Sequence, residues 1–286
     1  MLSMRSSFIL LLFICIVFFL PSSGFPEGSL TLQVHPYLPS TELLKKFSPL
    51  ITYLKNRLDS EVVCNISGDY QEHINMVGND KVDIAYLGPV SYIKVVNKFG
   101  SKPLLARLEI KGSPLFQGVI FTSKSSSIRS VKDLKGKRFA FGDPDSTMSH
   151  IVPLTVLHDK GINLHDFDKH AFLPGHRNVA LGVLMGDYDA GAVKEEVFHE
   201  YKDRGLIDLE WTPKISEHLF VTKSSLPDKT IKKLRAALLS LRDDPDANRI
   251  MSSIKQGVTG LVPVEDRNYD NLRVILKKAE QIITVK

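Results

Sequence analysis

Phe139-Ala140-Phe141-Gly142-Asp143-Pro144-Asp145-Ser146-Thr147-Met148-Ser149 is the stretch on which the reading of this chain turns. An apolar strand runs into a Gly/Asp/Pro turn, and hydroxyl residues then fall where the next helix begins. Free backbone N–H groups and the positive end of a helix make such a strand-to-helix turn an anion site. Ser146, Thr147 and Ser149 can donate to the same anion, although Ser and Thr are also ordinary helix caps. No GxxxxGK[ST] pattern is present, so this is not a nucleotide P-loop.

Outward from this stretch, strand and helix patterns alternate. Leu30–Tyr37, Val62–Ile66, Val82–Leu87, Leu104–Ile110, Gly118–Thr122, Arg138–Phe141, His170–Leu173, Ala190–Val193, Ile207–Trp211 and Leu219–Thr222 read as strands. Helical spacing covers Thr41–Leu58, Tyr70–Gly78, Val90–Phe99, Thr147–Gly161, Arg177–Met185 and Glu195–Tyr201, and most of the last 60 residues. Pro49 predicts a kink or restart in the first helix, with Ser48 as its N-cap. The alternation predicts βαβ units and largely parallel sheets. No linker or repeat divides the chain, so its two domains are expected to be joined by crossings near Phe116–Gln117 and His218–Leu219. That places lobe 1 at 26–116 plus 219–286 and lobe 2 at 117–218.

A second strand-turn-helix, Leu173-Pro174-Gly175-His176-Arg177-Asn178, sets a histidine beside another helix start. Such turns open on the carboxyl edge of a parallel sheet, so the two belong to one face. Gly68-Asp69-Tyr70 and Gly88-Pro89 are further turns where a phenol or a bare backbone can meet a ligand.

Arg5 followed by the 13-residue apolar run Phe8–Leu20 and the small residues Ser22, Ser23 and Gly24 reads as a cleavable signal peptide over 1–24. The run is short for a membrane span, which needs about 20 residues. Cys15 lies in mid-run behind Ile14, which does not suit lipidation. The expected product is a periplasmic chain starting at Phe25, with Cys64 as its one thiol and hence no internal disulfide. The whole sequence has 37 Lys and Arg against 32 Asp and Glu, a net +5 without basic blocks. This argues against nucleic acid as a partner and leaves room for a small anion. Two cysteines provide no metal framework, and neither a metal nor a cofactor is expected.

Asp69-Tyr70, Val82–Pro89 (V-D-I-A-Y-L-G-P), Asp133–Thr147 (D-L-K-G-K-R-F-A-F-G-D-P-D-S-T), Gly175-His176 and Asp189–Val193 (D-A-G-A-V) occur in one order. Together they resemble the phosphate/phosphite/phosphonate-type solute-binding proteins of ABC transporters. The resemblance implies an α/β, type II periplasmic binding fold: two lobes joined by two crossover strands, with the ligand cleft between them. It implies a small oxyanion ligand, delivery to a membrane permease or alternatively to a sensor histidine kinase, and a monomer without catalytic activity. In that family a first-lobe Tyr, an S-T-S helix start and a G-H histidine hold the ligand oxygens; the matching positions are Tyr70, Ser146, Thr147 and His176. Met148 stands where the second Ser is expected, with Ser149 after it. Phe116 replaces a family Tyr, and the position of an Asp that holds an amino group falls near Glu217 or His218. The ligand-binding set expected from sequence is therefore Tyr70, Phe116, Ser146, Thr147, Met148, Ser149, His176 and His218. A hydrolase reading, with Ser146 as nucleophile, His176 as base and Asp143 or Asp189 orienting it, lacks the G-x-S-x-G elbow.

Overall fold

The computed structural model describes residues 28–284; the expected signal peptide, Cys15, the expected cleavage point and residues 26–27 of the expected first lobe lie outside these. The chain opens with β1 (Leu30–Val34), α1 (Ser40–Leu58), β2 (Val62–Ile66), α2 (Tyr70–Gly78), β3 (Ile84–Leu87), α3 (Pro89–Phe99) and β4 (Leu104–Ile110). A two-residue strand β5 (Leu115–Phe116) leads into β6 (Gly118–Ser123), β7 (Arg138–Phe141), α4 (Val152–Asp159), β8 (Lys169–Phe172), α5 (His176–Leu184), β9 (Ala190–Lys194), α6 (Glu195–Lys202) and β10 (Leu206–Trp211). The chain returns through β11 (Ile215–Ser216) to β12 (Leu219–Thr222), α7 (Asp228–Leu239), α8 (Ala247–Ile254), β13 (Val258–Val262) and α9 (Asp270–Thr284).

Two sheets result. The first has the order β13-β4-β12-β3-β1-β2 and the second β10-β6-β9-β7-β8, while β5 and β11 form an antiparallel ladder between them. Neither sheet is as parallel as expected. β1, β2 and β3 run together, as do β7, β8 and β9, but β12 and β6 are antiparallel to their neighbours. The reason lies in the connections. A chain arriving through the ladder enters a sheet at the edge where the parallel strands end, so it runs away from that edge. β4 and β10 run back toward it and exit into the ladder. The carboxyl edges of the parallel strands thus face one cleft, where ligands bind in sheets of this kind.

α1, α7 and α8 cover one face of the first sheet around Phe47, Leu50, Leu234 and Ile250, while α5 and α6 cover the second sheet around Val179 and Phe198. A third cluster joins α3 and α4 to α9, so the C-terminal helix packs across both sheets and Lys278 pairs with Asp159. α1 is one helix across Pro49, and Ser48 caps nothing. Its carbonyl accepts the Thr52 hydroxyl, and Lys45, whose carbonyl loses its partner at Pro49, lies on the exposed side. β13, within the stretch expected to be mostly helical, pairs with β4 at the sheet edge. Cys64 is half-buried in β2, where burial pushes its thiol up to about 11. Among the described residues no helix is long and apolar enough to cross a membrane.

Candidate functional site

β7 ends at Phe141, just before Gly142, and Ser146 caps the turn that follows: its hydroxyl accepts the N–H of Ser149 at 3.2 Å. The helix does not begin in α form. Residues Thr147–Ile151 make a wide turn of π type, with Ile151 N–H reaching Ser146 O and Val152 N–H reaching Thr147 O. Pro153 accounts for it. Lacking an N–H, it cannot bond the Ser149 carbonyl four residues back, and Gly142 N–H fills that acceptor at 3.0 Å. Gly142 is required here because a Cβ at this position would stand 2.5 Å from Ser149 Oγ.

The wide turn decides which side chains reach the cleft. Ser146, Thr147 and Met148 line a small cavity, together with His35, Tyr70, Gly88, Phe116, His176, Lys194 and His218. Ser149 is not among them: it is fully buried with its hydroxyl bonded to the Ala192 carbonyl. Seven of the eight residues expected from sequence therefore meet at one place. The cavity's free space is about 10 Å³, about what one buried water needs and far below that of a site for a drug-sized ligand.

Four helix starts converge on this cavity. Tyr70 is the first residue of α2, Gly88 is the N-cap of α3, Ser146 caps the π turn, and His176 opens α5 behind Gly175. Each brings the positive end of a helix dipole. No carboxylate lines the space, and Lys194 adds a cation. Burial raises the Tyr70 phenol, so it remains a neutral donor. Thr147 Oγ1 accepts the Val90 N–H at 3.1 Å, which leaves its own proton to donate.

His176 is fixed in one tautomer. Its Nδ1 accepts the backbone N–H of Lys194 at 3.1 Å, so the proton is on Nε2, which stands 3.4 Å from Ser146 Oγ. Burial, and then Lys194, holds it well below 6.5 and therefore neutral. An Nε2–H cannot take a proton from Ser146, and no acid orients the ring. Asp189 is instead bound to Arg138. The hydrolase arrangement does not form.

His218 and Phe116 come from the ladder region, with ring centroids 5.1 Å apart. Glu217 beside them is fully buried and fully engaged. Its Oε2 accepts His218 Nδ1 at 2.8 Å, and its Oε1 pairs with Lys255 at 2.6 Å. Against the burial that opposes it, Lys255 and then His218 hold this carboxylate well below the usual range. Glu217 is thus not available to a ligand amino group. Two lining residues escaped the sequence reading, His35 and Lys194. Both stand at the carboxyl ends of strands, β1 and β9, which is the signal that could have found them.

Two α/β lobes, two crossing strands and a cavity at the facing strand ends define the type II periplasmic binding fold, and solved structures agree. PhnD1 of Prochlorococcus marinus in complex with methylphosphonate matches with a TM-score of 0.82 at 21% identity, over 89% of this chain and 99% of that one. The binding-protein component of a Pseudomonas aeruginosa ABC phosphonate transporter matches at 0.81 and 19%, over 90% of this chain and 88% of that one. At these identities the likeness is one of fold. By sequence, the chain belongs to the ABC transporter, phosphonate, periplasmic substrate-binding protein family, whose model matches residues 32–269. It is 28% identical over 283 residues to the phosphate-import protein PhnD of Mycolicibacterium smegmatis, covering 88% of this chain and 86% of that protein.

Proposed function

We propose that this protein captures a small tetrahedral oxyanion of the phosphonate, phosphite or phosphate class by closing its lobes, and delivers it to an ABC permease. The observation that carries this reading is the convergence of four helix starts and the His176 Nε2–H on one small cavity without a carboxylate. Relatives named for phosphate import and a structure holding methylphosphonate support the same class. The lobes are taken as 26–116 plus 219–286 and 117–218, moving about the β5/β11 ladder, with α9 lying across both. Residues 1–24 act as a signal peptide, the mature chain works as a monomer, and the ligand leaves unchanged.

A thermal-shift screen of phosphate, phosphite, methylphosphonate, aminoethylphosphonate and sulfate tests the reading. A ligand at 100 times its Kd should stabilise the protein by about 2.7 kcal/mol. Absence of stabilisation by any phosphorus oxyanion would overturn it. Aminoethylphosphonate should do worst among the phosphonates, since Glu217 is already committed to Lys255. Intact mass of the periplasmic protein checks removal of residues 1–24.

A further inference from the structure

Two histidines of the cavity stand apart from its donors. His35, just past β1, is buried at 2% exposure, and neither ring nitrogen has a partner among the described residues. A neutral imidazole carries one N–H and one lone pair, so this ring is matched only by a group offering both an acceptor and a donor. Its ring centroid lies 5.2 Å from those of Tyr70 and His218.

His218 is oriented more strictly. Glu217 accepts at Nδ1 and is itself kept ionised by Lys255, so Nδ1 carries the proton. Nε2 is left with a lone pair and no protein partner among the described residues. It lies toward the cavity, because a Cβ on the lining residue Gly88 would stand 3.9 Å from it and 3.3 Å from His35 Cε1. A site built otherwise of hydroxyls, amides and the His176 N–H therefore contains an acceptor. An acceptor repels a bare oxyanion and binds a protonated one.

We propose that His218, with His35 beside it, receives the acidic proton of the ligand, so that the site takes hydrogen-oxyanions and discriminates against sulfate and sulfonates, which carry no proton at neutral pH. This rests on the oxyanion reading above. Whether the proton is drawn on the ligand or on the imidazole, the complex holds one more than a free phosphonate or phosphite dianion and a neutral ring. Binding of such a dianion above its second ionisation therefore draws one proton from solvent, whereas the phosphate dianion still carries an O–H of its own and need draw none. The groups facing His218 favour keeping it on the ligand. Burial lowers the ring against the pull of Glu217, and Lys255 and Lys194 oppose a second positive charge. Glu196, paired with Lys194 at 2.9 Å, offsets part of that field. His35, His176, Tyr37 and Tyr86 face the ring uncharged, each kept neutral first by burial.

Calorimetry of the purified protein with inorganic phosphate and with methylphosphonate tests this, at a pH above each probe's second ionisation and in buffers of differing ionisation enthalpy. The expected result is uptake of about one proton per site for methylphosphonate, with its Kd rising about tenfold per pH unit above that ionisation, and no such uptake or slope for phosphate, whose dianion keeps an O–H. Sulfate should bind at least about tenfold more weakly, and His218→Phe should lose both the proton uptake and the pH slope. Tight binding of methylphosphonate without proton uptake, or His218→Phe with unchanged Kd and uptake, would overturn the proposal while leaving the oxyanion reading intact. Failure of phosphate, phosphite and methylphosphonate to bind at all would remove both. If His218→Phe does not fold, the unmodified protein decides through its proton count.

Discussion

The Thr147 hydroxyl accepts the backbone N–H of Val90 at 3.1 Å, and the two residues follow strands β7 and β3, which belong to different sheets. A helix start of the second lobe is thereby tied to a helix start of the first. Lys94 with Asp145 and Arg177 with Glu42, at 2.8 Å, make the same crossing nearer the surface. The conformation is a closed one, in which the atoms that would hold the ligand also hold the lobes together.

Thr147→Ala should therefore weaken ligand binding in two ways. It removes a donor to a charged ligand, and it leaves the buried Val90 N–H unpaired in the closed form. Either loss is about 1.5–3 kcal/mol, so Kd should rise at least 10- to 150-fold. Thr147→Ser keeps the hydroxyl and should stay within a few-fold of the native protein. The melting temperature without ligand should change little for both, because an opened cleft lets water serve Val90. Calorimetry with phosphate or methylphosphonate separates the two variants.

Tyr70 opens α2 in the first lobe, so an oxyanion held by Ser146 and His176 meets it only on closure. Tyr70→Phe should raise Kd by roughly tenfold or more and reduce the compaction seen by small-angle scattering when ligand is added. An unchanged scattering difference with a weakened Kd would mean that closure is driven elsewhere, with the Thr147–Val90 bond the first alternative.

Much of this arrangement was legible because strand-turn-helix units carry their function at a fixed place. Once β7 and β8 were read as parallel strands, Ser146, Thr147 and His176 had to share an edge. The same rule applied to β1 and β9 selects His35 and Lys194, but the alternation of Leu30–Tyr37 carries the strand reading past His35 despite Pro36, and Lys194 has no Gly or Pro beside it. Ser149 was misplaced for a different reason. Pro153, four residues on, widens the turn and sends the Ser149 hydroxyl to Ala192, leaving Met148 at the cavity. β13 was hidden by Gly260 in a five-residue segment that pairs only at a sheet edge. The antiparallel β6 and β12 follow from how the chain crosses between sheets, which no local pattern encodes.

Five buried histidines set how the fold responds to acid. Burial first of all lowers His35, His73, His150, His176 and His218 from 6.5, His73 to about 3 and His150 to about 4. Below pH 6.5 the unfolded chain binds protons that the folded one refuses, so stability is full above that pH and is lost as pH falls. Each histidine contributes about 1.4 kcal/mol per pH unit until its own folded value is reached. Glu217 adds a loss of the same sign at lower pH, since its carboxylate is held down by Lys255 against burial. Thermal melts should be flat from about pH 7 to 8 and drop steadily between about pH 6.5 and 4. A melting temperature that rises on acidification would show that these rings are charged in the fold.

Gly142 and Ser149 offer the sharpest test of the turn itself. A Cβ on residue 142 would lie 2.5 Å from Ser149 Oγ and 2.6 Å from its Cβ, and the latter is fixed to the backbone and cannot swing away. Gly142→Ala should therefore destabilise the protein by about 1–3 kcal/mol, as overpacking does, and should also displace the Ser146 cap and weaken ligand binding. Ser149→Gly removes both offending atoms at a cost of about 1 kcal/mol in helix propensity, plus the bond to Ala192. The double variant should be more stable than the sum of the two single losses predicts, because the clash exists only when both side chains are present. Denaturant unfolding of the four proteins measures that coupling. Strict additivity would mean that residue 142 does not pack on Ser149.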